Sequence, residues 1–503
     1  MSDALRPEVI LGIIGIYFLL LLTISYFTGK KSDNATFFLA NRNSPWFVVA
    51  FGMIGASLSG VTFISIPGVV GGDGLNQAFS YMQIVFGYLL GYVVIAQVLL
   101  PLYYKLKLTT IYGYLGQRFG PVAYKTGSAY FLLSRTIGSA FRLFLVAIIL
   151  YQFVLSPFGI SFFATVVITI LLIWVYTFRG GIKTVVYTDT LQTFCMLAAV
   201  GMTVYIIASE LSLSGGGEVV QKIRDSGYGQ MFFFEGGWAD PNNFFKQFLS
   251  GALITIVMTG LDQDMMQKNL TCKSLSDARK NMYTFSFILV FANLLFLTLG
   301  ALLYVYAAET GVDIPSRTDE LYPMLALEYL PAAVGIVFVI GLIASAYSSA
   351  DSGLTALTTA FCVDFLGFKI EDNGPAIRRK RVLVHIGFSL VLLLMILFFE
   401  ALNNDAVING LFIAAGYTYG PLLGLFAFGL FTKRIVKDRW VLWVCLASPV
   451  LSFILDYYSE NLFAGFQFGF LILAINGLLT ITGLYLISRK WDGKSQILIP
   501  SDD

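Results

Sequence analysis

Reading the chain for apolar runs bounded by charge or turn residues gives thirteen candidate helices, at about 8–28, 45–71, 77–104, 122–154, 159–178, 184–209, 242–269, 275–308, 331–366, 380–400, 405–431, 437–456 and 463–488. Most are apolar on every face and about 20 residues or longer, the length that crosses a bilayer. The pattern predicts an all-α integral membrane protein of about thirteen transmembrane helices. Two connections are long. Residues 210–241 include Ser212-Leu213-Ser214-Gly215-Gly216-Gly217 and read as an exposed loop. Residues 309–330 are acidic and read as a loop with a short surface helix near Thr318 to Leu330.

Composition supports this reading. Of 503 residues, 57% are hydrophobic and only 12% charged, and mean hydropathy is +0.78. A soluble domain carries roughly 25% charged residues, so a water-soluble chain of this kind would expose large apolar patches. The first run does not read as a cleaved leader, because Lys30 and Lys31 follow it instead of preceding it. Charge bias orients the bundle. With the N-terminus outside, only Arg6, Lys222, Arg224, Lys246 and Arg317 fall on the outer side, and most of the 32 Lys and Arg fall inside. The expected topology is N-out and C-in.

The same inventory excludes several chemistries. A single histidine, His385, rules out multi-histidine metal sites, and Cys195, Cys272, Cys362 and Cys445 stand singly, most of them inside apolar runs. Gly493-Lys494-Ser495 lacks the first glycine of a phosphate loop, because Ser488 stands there. A net charge of +2 predicts no nucleic-acid partner. No obligatory protein partner and no organic cofactor is indicated; the expected partners are the lipid bilayer and a small-molecule solute.

Polar residues within the apolar runs carry the candidate chemistry. Broken helices occur in membranes only where they are buried in protein or line a cavity, and two spans look breakable. The second holds Gly52, Gly55, Ser57, Ser59, Gly60, Thr62, Ser65 and Pro67; the ninth holds Gly341, Ser345, Ser348, Ser349, Asp351, Ser352 and Gly353. Small residues also allow close helix packing, so packing and an oxygen-lined cation site both stay open. Ionisable groups at membrane depth are functional candidates: here Asp189 on the sixth span, Asp351 on the ninth, and Arg135 and Arg142 two turns apart on the fourth. Arg135 is expected to neutralise a carboxylate, with Asp351 the candidate partner. Arg142 is expected to present its planar fork to a substrate carboxylate.

Tyr176-Thr177-Phe178-Arg179-Gly180-Gly181-Ile182, continuing to Tyr187-Thr188-Asp189-Thr190-Leu191-Gln192, closely resembles a signature of the sodium:solute symporter family. So do the stretch from Ser59 to Pro67, the Ser348-Ser349 pair, and Gly420-Pro421-Leu422-Leu423-Gly424-Leu425-Phe426 leading to Phe431-Thr432-Lys433-Arg434. The resemblance, which extends to bacterial sodium/proline, sodium/sialic acid and sodium/galactose transporters, implies a LeuT-like core. One leading helix (within 1–44) precedes two inverted five-helix repeats (45–209 and 242–431) separated by the external loop 210–241. Two trailing helices (432–488) and a cytoplasmic tail (489–503) follow. It implies Na+ as the co-transported ion, held by backbone carbonyls of Gly55, Leu58 and Ser345 and hydroxyls of Ser348 and Ser349. Asp189, Asp351 and Ser352 are implied as a second sodium site or an ion exit route; the acid at 351 departs from the uncharged residue commoner there.

The resemblance further suggests substrate contacts from Ser57, Ser59, Thr62, Tyr81, Gln83, Arg142, Thr255, Thr259 and Asn409. Arg142 corresponds to an arginine that binds the substrate carboxylate in sialic acid transporters. The expected function is sodium-coupled uptake of a carboxylate-bearing solute such as an amino acid, sialic acid or another organic acid, by a multi-pass protein of the cell (inner or plasma) membrane. A sugar or polyol substrate is the alternative. A channel or a membrane enzyme is a distant one, since no filter repeat and no nucleophile–base pair is present.

Overall fold

In a computed structural model of the protein, residues 7–29, 33–72, 74–178, 180–237, 239–372, 374–402, 407–463, 466 and 468–490 are described, those at 407–414 without their side chains. The main elements are helices α1 (Pro7–Thr28), α2 (Trp46–Ser57), α3 (Gly60–Val69), α4 (Tyr81–Lys105), α5 (Pro121–Phe158), α6 (Phe162–Thr177), α7 (Ile182–Glu210), α8 (Phe244–Gly260), α9 (Gln263–Leu270), α10 (Leu275–Thr310), α11 (Ala332–Phe365), α12 (Pro375–Leu402), α13 (Val407–Phe431), α14 (Asp438–Tyr457) and α15 (Gly469–Leu486). A short antiparallel ribbon pairs Arg434–Val436 with Ser488–Lys490. Among the described residues nine helices are long and apolar enough to cross a membrane, or up to eleven spans when each of two bent pairs counts once. α6 and the Ala415–Phe431 part of α13 are shorter apolar helices.

The distribution of side chains is that of a protein in lipid. Leu19, Phe27, Leu394 and Phe431 are exposed, while Asp189, Asp262, Asp264, Asp351, Arg135 and Lys268 are buried. Hydrocarbon outside makes exposed leucine and phenylalanine costless, and it drives ionic groups inward to find one another. α11 is the most buried of the long apolar helices and packs extensively against α7. α4 lies flush against α8 because both are stripped of side chains where they meet: a Cβ on Gly87 would stand 2.1 Å from the Phe248 carbonyl oxygen.

The second span breaks as expected. α2 and α3 meet at 56°, with Leu58 off the helical conformation and Ser59 extended. Glycine at 60 is required by proximity, since a Cβ there would stand 2.2 Å from a Val146 methyl group. The ninth span does not break. α11 runs helically from Ala332 through Phe365, so its serines and glycines serve packing and side-chain chemistry instead of an unwound segment. A Cβ on Gly341 would strike Phe63 and Ala199, and one on Gly353 would strike Ser139.

The second break lies in the seventh span, where α8 and α9 meet at 63°. Asp262 is extended at the junction, and its carboxylate accepts from the amides of Asp264 and Met265, capping α9. The released carbonyls are also satisfied. Tyr103 Oη donates to Gly260 O at 2.8 Å, and Tyr112 Oη donates to Leu261 O at 2.9 Å.

Both long connections carry structure. Gly216–Asp225 is a helix, exposed apart from Ile223 and a few half-buried positions. The stretch Thr318–Tyr329 is helical but not a surface element. Leu321, Tyr322 and Leu325 are buried, with the Tyr322 ring 4.8 Å from that of Phe338 and 5.4 Å from that of Phe63. Its polar hydroxyl is satisfied by Thr203, which leaves the apolar face free to pack over α3 and α11.

Tyr112→Phe removes the donor to Leu261 O while keeping the ring. A buried carbonyl left without a partner costs about 1–3 kcal/mol, so the thermal midpoint of the purified protein is expected to fall. An unchanged midpoint would show that the α8–α9 junction does not depend on this bond.

Candidate ion and substrate site

The break between α2 and α3 faces α11 across very little space. A Cβ on Gly55 would stand 2.3 Å from Thr193 Oγ1 and 3.1 Å from Ser348 Oγ, and one on Gly60 would stand 3.6 Å from Ser345 Oγ. The end of a helix leaves its last carbonyls without intrahelical partners, and here the break lies beside Ser345 and Ser348. Gly55, Leu58, Ser345, Ser348 and Ser349 are all buried. Ser345 Oγ donates to Leu342 O at 2.7 Å. Ser348 Oγ donates to Asp189 Oδ1 at 2.8 Å. Ser349 Oγ is buried with no hydrogen-bond partner among the described residues. An orphaned hydroxyl beside freed carbonyls suits a small hard cation that accepts oxygen ligands.

The buried charges do not pair as the sequence suggests. Arg135 does not meet Asp351. Its guanidinium donates to Asp264 Oδ2 and lies 3.9 Å from Asp262 Oδ2. Asp351 instead accepts from Tyr176 Oη at 2.8 Å and from the Ser352 amide. The physical reason is the break in the seventh span, which swings two carboxylates to the centre of the bundle beside α5. Asp189 faces Lys268 Nζ at 2.7 Å, and Ser352 Oγ donates to Asp264 Oδ1. Asp189 is thus paired with Lys268, and Ser352 with Asp264, itself 4.0 Å from that lysine, whereas Asp351 turns to Tyr176 and the Ser352 amide.

Asp262, Asp264 and Lys268 carry no weight in the sequence reading, although the rule that picks out Asp189 covers them. Lys268 and Asp264, four residues apart, sit at the end of an apolar run where charge ordinarily marks a loop. In the structure both are buried.

Beside the break in α2 and α3 lies a cavity of about 100 Å³. It is lined by Ser57, Ser59, Thr62, Tyr81, Arg142, Thr255 and Thr259, seven of the nine residues proposed from sequence, and Leu58 also borders it. Tyr88, Tyr92, Met258, Asn293 and Arg135 are among the further residues of its wall. Tyr81 and Tyr88 hydroxyls lie 3.0 Å apart. Arg142 is half-buried, and its Nε has no hydrogen-bond partner among the described residues. Gln83 is not in the cavity. Its Nε2 donates to Asn242 O at 2.8 Å and its Oε1 accepts from the Phe233 amide, so both ends of the amide fasten the 210–241 connection to α4. The side chain of Asn409 lies outside the described residues.

Comparison with known proteins agrees with this architecture. Residues 37–443 match the pattern of the sodium:solute symporter family, and the chain belongs to that family. It is 24% identical over 480 residues to a sodium/sialic acid symporter of Aliivibrio fischeri, covering 90% of this chain and 89% of that one. It is 27% identical over 437 residues to a sodium-coupled monocarboxylate transporter of Xenopus laevis, covering 83% of this chain and 65% of the relative. Among solved structures, a Na+-coupled sialic acid symporter in a substrate-bound outward-open state superposes with a TM-score of 0.81 at 19% identity, covering 97% of this chain and 100% of that one. A nucleobase–cation symporter superposes with a TM-score of 0.56 at 15% identity, covering 91% of this chain and 95% of that one. The fold is LeuT-like. The protein is a transporter and not an enzyme, and it couples solute uptake to sodium, the co-transported ion.

Arg135 and Asp264 are coupled across α5 and α9, and breaking a buried pair from one side costs about 3–5 kcal/mol. Arg135→Ala and Asp264→Ala are each expected to lower the thermal midpoint strongly. The double variant should lose less than the two single losses combined; additive losses would mean that the two side chains act independently.

Proposed function

We propose that the chain takes up a small carboxylate-bearing solute bound at Arg142, together with sodium held by the carbonyls of Gly55, Leu58 and Ser345 and the hydroxyls of Ser348 and Ser349. The observation that carries the substrate half is an arginine on the cavity wall whose Nε has no hydrogen-bond partner, next to Arg135, which is already engaged by aspartates. A carboxylate at this arginine can accept two parallel charge-assisted bonds, one of them from the buried Nε. The names of the relatives, sialic acid symporters and monocarboxylate transporters, point the same way. A volume of about 100 Å³ is far below the roughly 300–1,000 Å³ of drug-sized pockets. It favours an organic acid of few heavy atoms over a bulky sugar acid. Ser57, Thr62, Thr255 and Thr259 supply hydroxyls that also suit a sugar or polyol; that second reading gives Arg142 no charge to meet.

Coupling follows from shared geometry. Sodium is bound between the α2–α3 break and α11, and the substrate is bound to the other side of the same break. Each ligand then biases one conformational equilibrium, and the affinity each gains from the other is equal. One sodium moving inward gains about 2.3 kcal/mol per 100 mV of membrane potential. In this reading the repeats at 45–209 and 242–431 move against each other around the site. The N-terminus lies outside and the C-terminus inside, and Asp189, bonded to Ser348, lies on the ion's way out.

A thermal-shift screen of the purified protein against small organic acids, amino acids, sialic acids and sugars, with and without sodium, is expected to show stabilisation by an organic acid only when sodium is present. Arg142→Ala should weaken that binding by roughly 10–100-fold, the worth of a charged hydrogen-bonded contact, while sodium still protects the fold. A neutral sugar that binds this variant normally would overturn the carboxylate reading. Ser348→Ala combined with Ser349→Ala should raise the sodium needed for half-maximal uptake at least about tenfold at unchanged membrane abundance. An unaltered sodium dependence would overturn the ion site.

A further inference from the structure

Lys268 lies on α9 with 1% of its surface exposed. Its ammonium stands 2.7 Å from Asp189 Oδ2 and 4.0 Å from Asp264 Oδ1. At 2.7 Å the ammonium and the Asp189 carboxylate make a buried charged contact, and at 4.0 Å Asp264 is a longer-range partner. The attraction is that of a point charge lodged among oxygens. The surrounding groups complete the arrangement: Ser348 Oγ donates to the second oxygen of Asp189, and Ser352 Oγ donates to Asp264. Ser348 and Ser352 are one turn apart on α11, so they share a face. Two carboxylates, from α7 and α9, thus flank one buried monovalent charge, and each accepts from a hydroxyl of α11.

Those are the ligands of a hard alkali cation: oxygens only, with negative charge among them. An ammonium is a compact, strongly hydrated point charge of the same sign and size of charge. We propose that Lys268 is a tethered cation that permanently fills a second cation position, next to the transported one, so that the protein binds and carries a single sodium per cycle. This rests on the sodium site proposed above, with which it shares Ser348. The ammonium is covalently fixed to α9, so it neutralises Asp189 without ever crossing the membrane and adds nothing to the driving force. The ion held by Gly55, Leu58, Ser345, Ser348 and Ser349 is then the only one that the gradient moves. Removing the lysine charge would leave Asp189 buried with no cation opposite it and Asp264 with only Arg135, a vacancy that a second sodium can occupy.

Binding of radiolabelled sodium to the purified full chain, counted per molecule, tests this. The wild type is expected to bind one sodium, Lys268→Gln two, and Lys268→Arg one, with the slope of the sodium response rising from about 1 toward 2 in Lys268→Gln alone. Two sodium ions in the wild type, or the same count in the wild type and Lys268→Gln, would overturn the proposal. No sodium in the wild type but one in Lys268→Gln would sustain the lysine's role and overturn the shared sodium site instead. Should Lys268→Gln resist purification, its thermal midpoint in native membranes is read in sodium and in choline chloride. Sodium should raise that midpoint more than it raises the wild type's; an equal or smaller rise would overturn the proposal.

Discussion

Two helices can break in the middle of this bundle only because the backbone groups they release find partners inside protein. In hydrocarbon an unsatisfied carbonyl or amide costs several kcal/mol, which is why ordinary spans stay helical from end to end. At the α8–α9 junction the partners are provided outright. Tyr103 and Tyr112 donate to the freed carbonyls of Gly260 and Leu261, and the Asp262 carboxylate receives the first amides of α9. At the α2–α3 junction the break lies beside Ser345 and Ser348 of α11, and in the proposed reading a cation is the partner that completes it.

The same constraint organises the charges. Asp262 is at once a helix cap, the acceptor for Tyr419 at 2.5 Å and a neighbour of Arg135. It therefore ties the position of α9 to α13 and α5. Asp264, two residues further on, joins Arg135 to Ser352 of α11, and Lys268 brings Asp189 of α7 into the same network. A low-dielectric interior makes each of these contacts strong and any unpaired member expensive. Such a network resists small distortions and favours switching between discrete arrangements, which suits a transporter that must open to one side or the other. Arg142 is the member left without its own carboxylate, and it borders the substrate cavity.

The cavity borders the α2–α3 break, so with the proposed ion on the other side of that break each ligand would set the geometry of the other. Coupling would then need no long pathway. It would need a segment too short of internal hydrogen bonds to hold one shape alone, placed where both ligands touch it.

Much of this was legible without coordinates. The apolar runs and charge asymmetry are consequences of transfer free energies that act residue by residue, so they mark the membrane helices wherever the chain folds. The cluster of glycine, serine and proline at residues 52–67 marked a breakable helix for a similarly local reason, and the serines of α11 and Arg142 stood out as polar groups within apolar sequence. Tertiary structure alone decided the rest. That the ninth span stays helical while the seventh breaks depends on whether Tyr103, Tyr112 and Asp262 arrive to satisfy a junction, and sequence spacing does not reveal which helices meet. Arg135 had Asp189, Asp262, Asp264 and Asp351 within plausible depth; helix rotation and the 63° bend brought Asp264 to it and left Asp351 to Tyr176. Gln83 and Lys268 made the point in opposite directions, one drawn out of the cavity by a loop's backbone, the other drawn from an apparent helix end into the centre of the bundle. Depth in the membrane is written in the order of residues, but pairing is a property of distances between helices, and these are fixed only when the whole bundle packs.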